Sequence, residues 1–150
     1  MKTTAMADRV LHSARQWLGT PYQHQASTLG VGCDCLGLIR GIWRDLHGAE
    51  PEKAPDYSSV WSQGTDEETL HEAFSRHLNT VPLSQLTPGD VLLFRMRPYG
   101  AAKHTGILSD PHRFIHAYQG AGVVESALNP FWLRAVKAAF RFPQSAALKV

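Results

Sequence analysis

The chain carries two cysteines and eight histidines, and the chemistry it could do starts at Cys35. A thiol attacks a carbonyl only as thiolate, so a nucleophilic cysteine needs surroundings that tolerate negative charge. The run Cys33-Asp34-Cys35-Leu36-Gly37-Leu38 puts Cys35 in the first turn of a predicted helix, with Asp34 as its N-cap. Unpaired backbone N–H groups and the positive helix end favour an anion there. The same amides could hold an oxyanion during acyl transfer. Gly37 lets a backbone or a substrate approach with no side chain in the way. Cys33 precedes the cap, gains less from the helix end and reads as a bystander. Cysteine is also an ordinary small buried hydrophobe, so Cys35 taken alone does not make an enzyme.

A thiolate enzyme needs an imidazole within hydrogen-bond reach and a third group to orient that ring. His12, His47, His71 and His77 fall in predicted helices at solvated or boundary positions, and His112 sits in the turn Asp110-Pro111-His112. His24 lies in the long loop before the cysteines and is a candidate substrate contact. His104 and His116 stand apart. His104 opens a predicted strand beside the small residues Thr105 and Gly106, where another element can pack closely. His116 lies inside the next strand between Ile115 and Ala117. Antiparallel pairing through the turn at Ser109 to His112 would bring both rings to one face. One would then serve as general base and the other as its orienter. A satisfied histidine pair in a half-buried sheet is the competing explanation, and it is the conjunction with Cys35 that points to catalysis.

Other chemistries find less support. A disulfide between Cys33 and Cys35 would close a very tight ring. The C-x-C has no second pair of Cys or His at ligand spacing, so no metal and no other cofactor is expected. Net charge is +2, with basic residues scattered rather than striped, which argues against a nucleic-acid partner. No apolar run approaches the roughly 20 residues of a membrane span. The start, Met1 to Arg9, is polar and lacks the apolar core of a signal peptide. The expectation is a protein made in the cytoplasm with free thiols. The length of 150 residues and a hydrophobic fraction of 43% fit one domain over 1–150 with its own core.

These side chains must be positioned by an α+β fold. The spacing of Val10, Leu11, Ala14, Trp17 and Leu18 predicts a first helix over 6–18, stopped by Gly19. A turn-rich loop over 20–32 follows, long enough to carry function. The second helix repeats Cys35, Leu38, Ile39, Ile42, Trp43 and Leu46 and stops at Gly48. A polar stretch over 49–64 leads to a third helix capped by Thr65, with Glu68 completing a capping box and Leu70, Phe74 and Leu78 on its buried side. The second half is predicted as short strands over 81–86, 91–96, 104–108, 113–118 and 123–127, a helical turn from Pro130 through Leu133 to Val136, and a closing strand over 139–142. Helices followed by an antiparallel meander make a single α+β domain.

At this point the residues resemble the NlpC-type peptidoglycan endopeptidases, within the papain-like cysteine peptidases. Gly19-Thr20-Pro21-Tyr22 is similar to the G-x-P-Y segment of that family, and Asp34-Cys35-Leu36-Gly37-Leu38 to its D-C-S-G-L nucleophile motif. Pro88-Gly89-Asp90-Val91-Leu92-Leu93-Phe94 and His104-Thr105-Gly106-Ile107-Leu108 resemble its P-G-D-L-v-f-F and H-V-G-I-Y strands. His116-Ala117 falls where the third catalytic residue is expected. The resemblance spans roughly Val10 to Ser126. It implies N-terminal helices packed on an antiparallel sheet, with Cys35 as nucleophile, His104 as base and His116 as orienter. Tyr22 would lie near the oxyanion, with Asp34, Leu36, Gly37 and His24 around the substrate. It further implies cleavage of the D-glutamyl–diamino acid bond in peptidoglycan stem peptides, without metal or organic cofactor. Two departures bear on substrate register. Leu36 stands for a serine that in many members helps bind the free amino end of a stem, and Gln23-His24-Gln25 for the usual Trp-Gly-Gly. The segment Gly32 to Arg40 also resembles a branch encoded in phage and gene-transfer-agent tail clusters. Such an enzyme would travel with phage-like tail proteins and open the wall from the periplasm during DNA delivery. The alternatives are an amidase or acyltransferase on the same scaffold, or a non-catalytic tail or wall-binding protein.

Overall fold

The computed structural model describes residues 4–52, 69–96 and 104–144. Thr65 and Glu68, most of the polar stretch over 49–64, the loop with Pro98 and Gly100, and the tail from 145 lie outside the described residues. Helix α1 (Ala5–Gln16) starts at Thr4, whose hydroxyl accepts the Ala7 N–H, and it buries Met6, Val10, Ser13 and Ala14. It ends two residues before the expected stop. Trp17 turns onto the next helix and Leu18 is exposed. Within the 20–32 loop the chain makes a small hairpin of β1 (Ser27–Thr28) and β2 (Gly32–Cys33). Helix α2 (Cys35–His47) follows directly and ends at Gly48, whose φ of 82° is a conformation glycine adopts without strain. Trp17 lies across Gly41 so closely that a Cβ there would meet the indole at 2.0 Å.

Helix α3 (Thr69–His77) buries Leu70 and Phe74. The strand expected over 81–86 is instead β3 (Asn79–Val81) followed by a 3-10 turn at Leu83–Gln85. Pro82 has no N–H to offer a ladder, so pairing stops at Val81. The remaining elements are β4 (Val91–Phe94), β5 (His104–Asp110), β6 (Arg113–Tyr118), β7 (Gly122–Ala127), α4 (Pro130–Ala135) and β8 (Val136–Arg141). Strands β4 to β7 form the expected meander. The last strand does not extend it: β8 inserts between β3 and β4, giving the order β3-β8-β4-β5-β6-β7 with every pairing antiparallel. Val91 and Leu92 pair with Phe140 and Ala139 there. Inserting β8 gives β4, apolar on both faces, a ladder partner on each edge.

Both sides of the sheet are covered. Val91, Leu93, Ile107, Ile115, Ala117 and Phe140 pack with Val10, Leu38, Ile42 and Phe74 of the helices. Alternate residues Leu92, Phe94, Leu108, Phe114 and Ala139 pack with Trp132 of α4 on the opposite side. Asp90 anchors the entry to β4. Its buried carboxylate accepts from Arg141 at 2.7 and 3.0 Å and from the Thr87 N–H at 2.9 Å.

Candidate active site

Asp34 begins α2 by local hydrogen bonding, as expected of an N-cap. Its Oδ1 accepts the Gly37 N–H at 2.8 Å and its Oδ2 accepts the Gln25 N–H at 2.7 Å. One carboxylate therefore starts the helix and pins the preceding loop to it. Gly37 completes that joint, since a Cβ there would sit 1.9 Å from the Ala26 carbonyl oxygen. The Ser27 hydroxyl donates to the Gly37 carbonyl at 2.6 Å, and Arg44 donates to the Ser27 carbonyl at 2.7 Å. Asp34 and Gly37 are both buried, and they hold the first turn of α2, which carries Cys35, against the preceding loop. The resemblance expects substrate contacts of both residues as well. His24 sits at the rim of the same loop, its Nδ1 3.8 Å from Asp34 Oδ2.

Cys35 is the first residue of α2 and is 9% exposed. Burial pushes its thiol up to about 12, and the neighbouring Asp34 carboxylate adds to the rise. The backbone N–H groups of Thr105, Leu36 and Cys35 itself pull the other way by hydrogen-bonding the sulfur. The Thr105 contact brings the helix end against β5, one residue from His104. Tyr22 arrives from the loop, bridged to Cys33. Burial pushes its phenol up to about 12, with the negative charge of Cys35 the next cause, so Tyr22 is a protonated hydroxyl close to the sulfur. Cys33 is fully buried, its thiol raised to about 12 chiefly by burial. Leu36 follows Cys35 in the first turn of α2. It helps line a cavity of about 90 Å³ between α2 and α3 with Ile39, Trp43 and Phe74.

His104 and His116 meet as the hairpin spacing suggests. His104 Nε2 lies 2.8 Å from His116 Nδ1. In the β5–β6 register Ile107 faces Ile115, so the two rings sit diagonally on one face rather than directly opposite. Gly106 makes the approach feasible, because a Cβ there would stand 3.0 Å from the His116 Cβ. The pair is enclosed by aromatic rings. Phe94 and Trp132 lie 5.6 Å from His104, and Phe114 and Trp132 lie 4.2 and 5.1 Å from His116, between ring centroids. This apolar setting disfavours the imidazolium. Burial pushes His104 down to about 3, helped by the positive charge of His116, and burial alone pushes His116 down to about 4. Both rings are neutral at physiological pH, so His104 is a free base. With its Nε2 committed to His116, Nδ1 is the nitrogen left to take a proton.

Trp132 and Ser126 belong to this site and are not legible in the local sequence. Trp132 reaches it from α4, whose cap Asn129 accepts the Trp132 N–H at 3.1 Å. Ser126 stands on β7, its Oγ 2.9 Å from His116 Nε2. Pro130 signalled the start of the helix, but nothing in the spacing signalled which rings its tryptophan would cover. Among the described residues, no three His, Cys, Asp or Glu side chains gather as a metal site would require.

A thiol at a helix N-terminus, set against a strand that begins with one of two paired histidines, is the arrangement of papain-like thiol hydrolases. The chain belongs to the NlpC/P60 family, which matches residues 19–141. It is similar to the murein DD-endopeptidase MepS/murein LD-carboxypeptidase of Escherichia coli K12, with 28% identity over 133 residues, covering 88% of this chain and 61% of that protein. It is also similar to the gamma-DL-glutamyl hydrolase of Bacillus subtilis 168, with 26% identity over 124 residues, covering 82% of this chain and 26% of that protein. The fold is shared with the crystal structure of an NlpC/P60 family protein from Bacillus cereus ATCC 10987. The TM-score is 0.66 at 24% identity, covering 93% of this chain and 41% of the other. The chain thus spans about three fifths of the Escherichia coli relative and about a quarter of the Bacillus subtilis one.

Proposed function

We propose that the protein is a cysteine endopeptidase that hydrolyses peptidoglycan stem peptides at the D-glutamyl–diamino acid bond. The observation that carries this is the meeting of the Cys35 sulfur with the Thr105 amide beside His104, whose ring is held by His116, in a chain of the NlpC/P60 family. His104 Nδ1 takes the proton from the Cys35 thiol as the sulfur bonds to the carbonyl carbon of the stem amide. The α2 amides and the Tyr22 hydroxyl donate to the oxyanion. The amide C–N bond then breaks as His104 returns the proton to the leaving amine. Water, deprotonated by His104, cleaves the thioester to a carboxylic acid and restores the thiol.

The resting site is a neutral thiol beside a neutral imidazole, because burial disfavours both charged forms. Proton transfer therefore accompanies attack rather than preceding it. A second bond deserves parallel testing, since the Escherichia coli relative is named a DD-endopeptidase; that would be the cross-link between neighbouring stems. An amidase or acyltransferase would use the same residues, and the products separate these activities. We further propose that the enzyme works as part of a phage-like tail, reaching the wall from the periplasm; the resemblance of the Gly32 to Arg40 segment supports this.

The test is digestion of diaminopimelate-type peptidoglycan by wild type, Cys33→Ala and Cys35→Ala, with fragments identified by mass. Stem fragments ending at D-glutamate from the first two proteins and none from Cys35→Ala are expected. Uncrosslinked but otherwise intact stems would move the assignment to the DD bond. Cutting by Cys35→Ala would refute the mechanism. Detection of the protein in purified tail particles, or its absence from them, decides the tail assignment.

A further inference from the structure

We infer that Ser126 is a positioning residue for the thiol–imidazole pair, acting through His116; the inference rests on the catalytic assignment of Cys35 and His104. Three side chains lie in line across three strands. His104 of β5 contacts His116 of β6 at 2.8 Å, and His116 contacts Ser126 of β7 at 2.9 Å. In the β6–β7 ladder Phe114 faces Ser126 and His116 faces Val124. Ser126 is therefore the diagonal neighbour of His116, as His116 is of His104. The line runs from the buried His104, across the fully buried His116, to a half-buried hydroxyl.

The hydrogen positions along this line are dictated once His104 acts as base. To accept a proton at Nδ1, His104 must carry hydrogen on Nε2 and donate it to His116 Nδ1. His116 Nδ1 is then an unprotonated acceptor, so the hydrogen of neutral His116 resides on Nε2. That N–H points at Ser126 Oγ, which accepts it. When His104 becomes imidazolium, the same direction of donation is the only one available, because a charged His104 donates from both nitrogens. Ser126 thus holds His116 in the one tautomer that can receive the His104 N–H in the charged state. Without it the His116 Nε2–H loses its acceptor, and the opposite tautomer, with hydrogen on Nδ1 facing His104, becomes competitive. In that tautomer the hydrogen bond reverses, His104 carries its hydrogen on Nδ1, and the base nitrogen is blocked.

The test uses Ser126→Ala and Ser126→Thr in the full chain, with Cys33→Ala as background so that only Cys35 reports. Three quantities are read: ring ¹⁵N shifts of His104 and His116, the rate of Cys35 alkylation by iodoacetamide between pH 6 and 9, and kcat against KM on peptidoglycan. Expected for Ser126→Ala are a mixed His116 tautomer, alkylation near neutral pH slowed about five- to tenfold and a similar loss in kcat with KM unchanged. Ser126→Thr, which keeps the hydroxyl, restores all three. The inference is overturned if Ser126→Ala leaves the tautomer and the alkylation rate as in wild type. It is also overturned if Ser126→Thr is no better than Ser126→Ala while both melt as wild type does. The first two measurements need no wall substrate. Tautomer and alkylation changes in a protein that leaves peptidoglycan uncut would uphold Ser126 and overturn the substrate, whereas wall cleavage with unchanged tautomers would do the reverse.

Discussion

Asp34→Asn should make the protein less stable and the Cys35 thiol more reactive at the same time. The Asp34 carboxylate accepts two backbone N–H groups, from Gly37 at 2.8 Å and Gln25 at 2.7 Å. Asparagine keeps one acceptor oxygen and turns the other position into a donor facing an N–H. One charge-assisted hydrogen bond at a buried site is lost, which costs about 1.5–3 kcal/mol. For a chain of this length each kcal/mol shifts the midpoint by about 2–4 °C, so a fall of roughly 3–12 °C is expected. The same charge is the second cause, after burial, of the raised Cys35 thiol. Its removal lowers the thiol pKa and speeds alkylation at neutral pH. The assay is thermal unfolding beside iodoacetamide kinetics against pH, both in the Cys33→Ala background. Slower alkylation, or a melting temperature equal to that of the parent, would refute the account of Asp34 as a cap that works against the thiolate.

The buried histidines predict a specific acid sensitivity. His104 and His116 are neutral in the fold down to about 3 and about 4, whereas in the unfolded chain both protonate near pH 6.5. As pH falls below 6.5 the unfolded state binds protons that the folded state does not, so stability is lost progressively until the folded pKa values are reached. At pH 5 the loss is about 2 kcal/mol per ring, and urea unfolding of His104→Gln/His116→Gln should show a flatter acid limb than wild type. Ring ¹H–¹³C signals of both histidines should stay constant from pH 8 to 5; a midpoint near 6.5 would contradict the buried, neutral pair. Arg141→Ala takes from the Asp90 carboxylate, 1% exposed, its guanidinium partner and leaves the Thr87 amide as its remaining short contact among these. Because the Arg141 side chain is itself 44% exposed and its removal lets water in, the change should destabilise by about 1–3 kcal/mol. Chemical denaturation checks this, and Asp90→Asn added to it should recover part of the loss. Gly41→Ala drives a methyl into the Trp17 indole and should cost about 1–3 kcal/mol with little change in alkylation rate. Near-UV circular dichroism of Trp17 and a melting curve measure both effects.

The cap at Asp34, the helix beginning at Cys35 and the turn to Gly48 were legible in the sequence because they are local. Each is settled by hydrogen bonds and backbone preferences within a few residues. The His104–His116 pair was legible for a related reason: a short antiparallel hairpin leaves few registers, and both residues share strand parity. The family resemblance added an order of motifs to this local chemistry. What the sequence left open depends on contacts between distant segments. The strand expected after α3 ended at Pro82, and β8 took the place between β3 and β4, because β4, apolar on both faces, needs a ladder partner on each edge. No local signal ranks that partner above others. Gly37 and Gly41 were visible as small residues, but whether substrate, loop or indole would fill the space was decided by how the 20–32 loop and α1 dock. Ser126 and Trp132 joined the site only through the β6–β7 register and the placement of α4 over the sheet. The sequence by itself determined the reactive groups and the elements that carry them. Tertiary packing decided their surroundings, because burial and hydrogen-bond partners, which set the charge state of a thiol or an imidazole, come from residues far away along the chain.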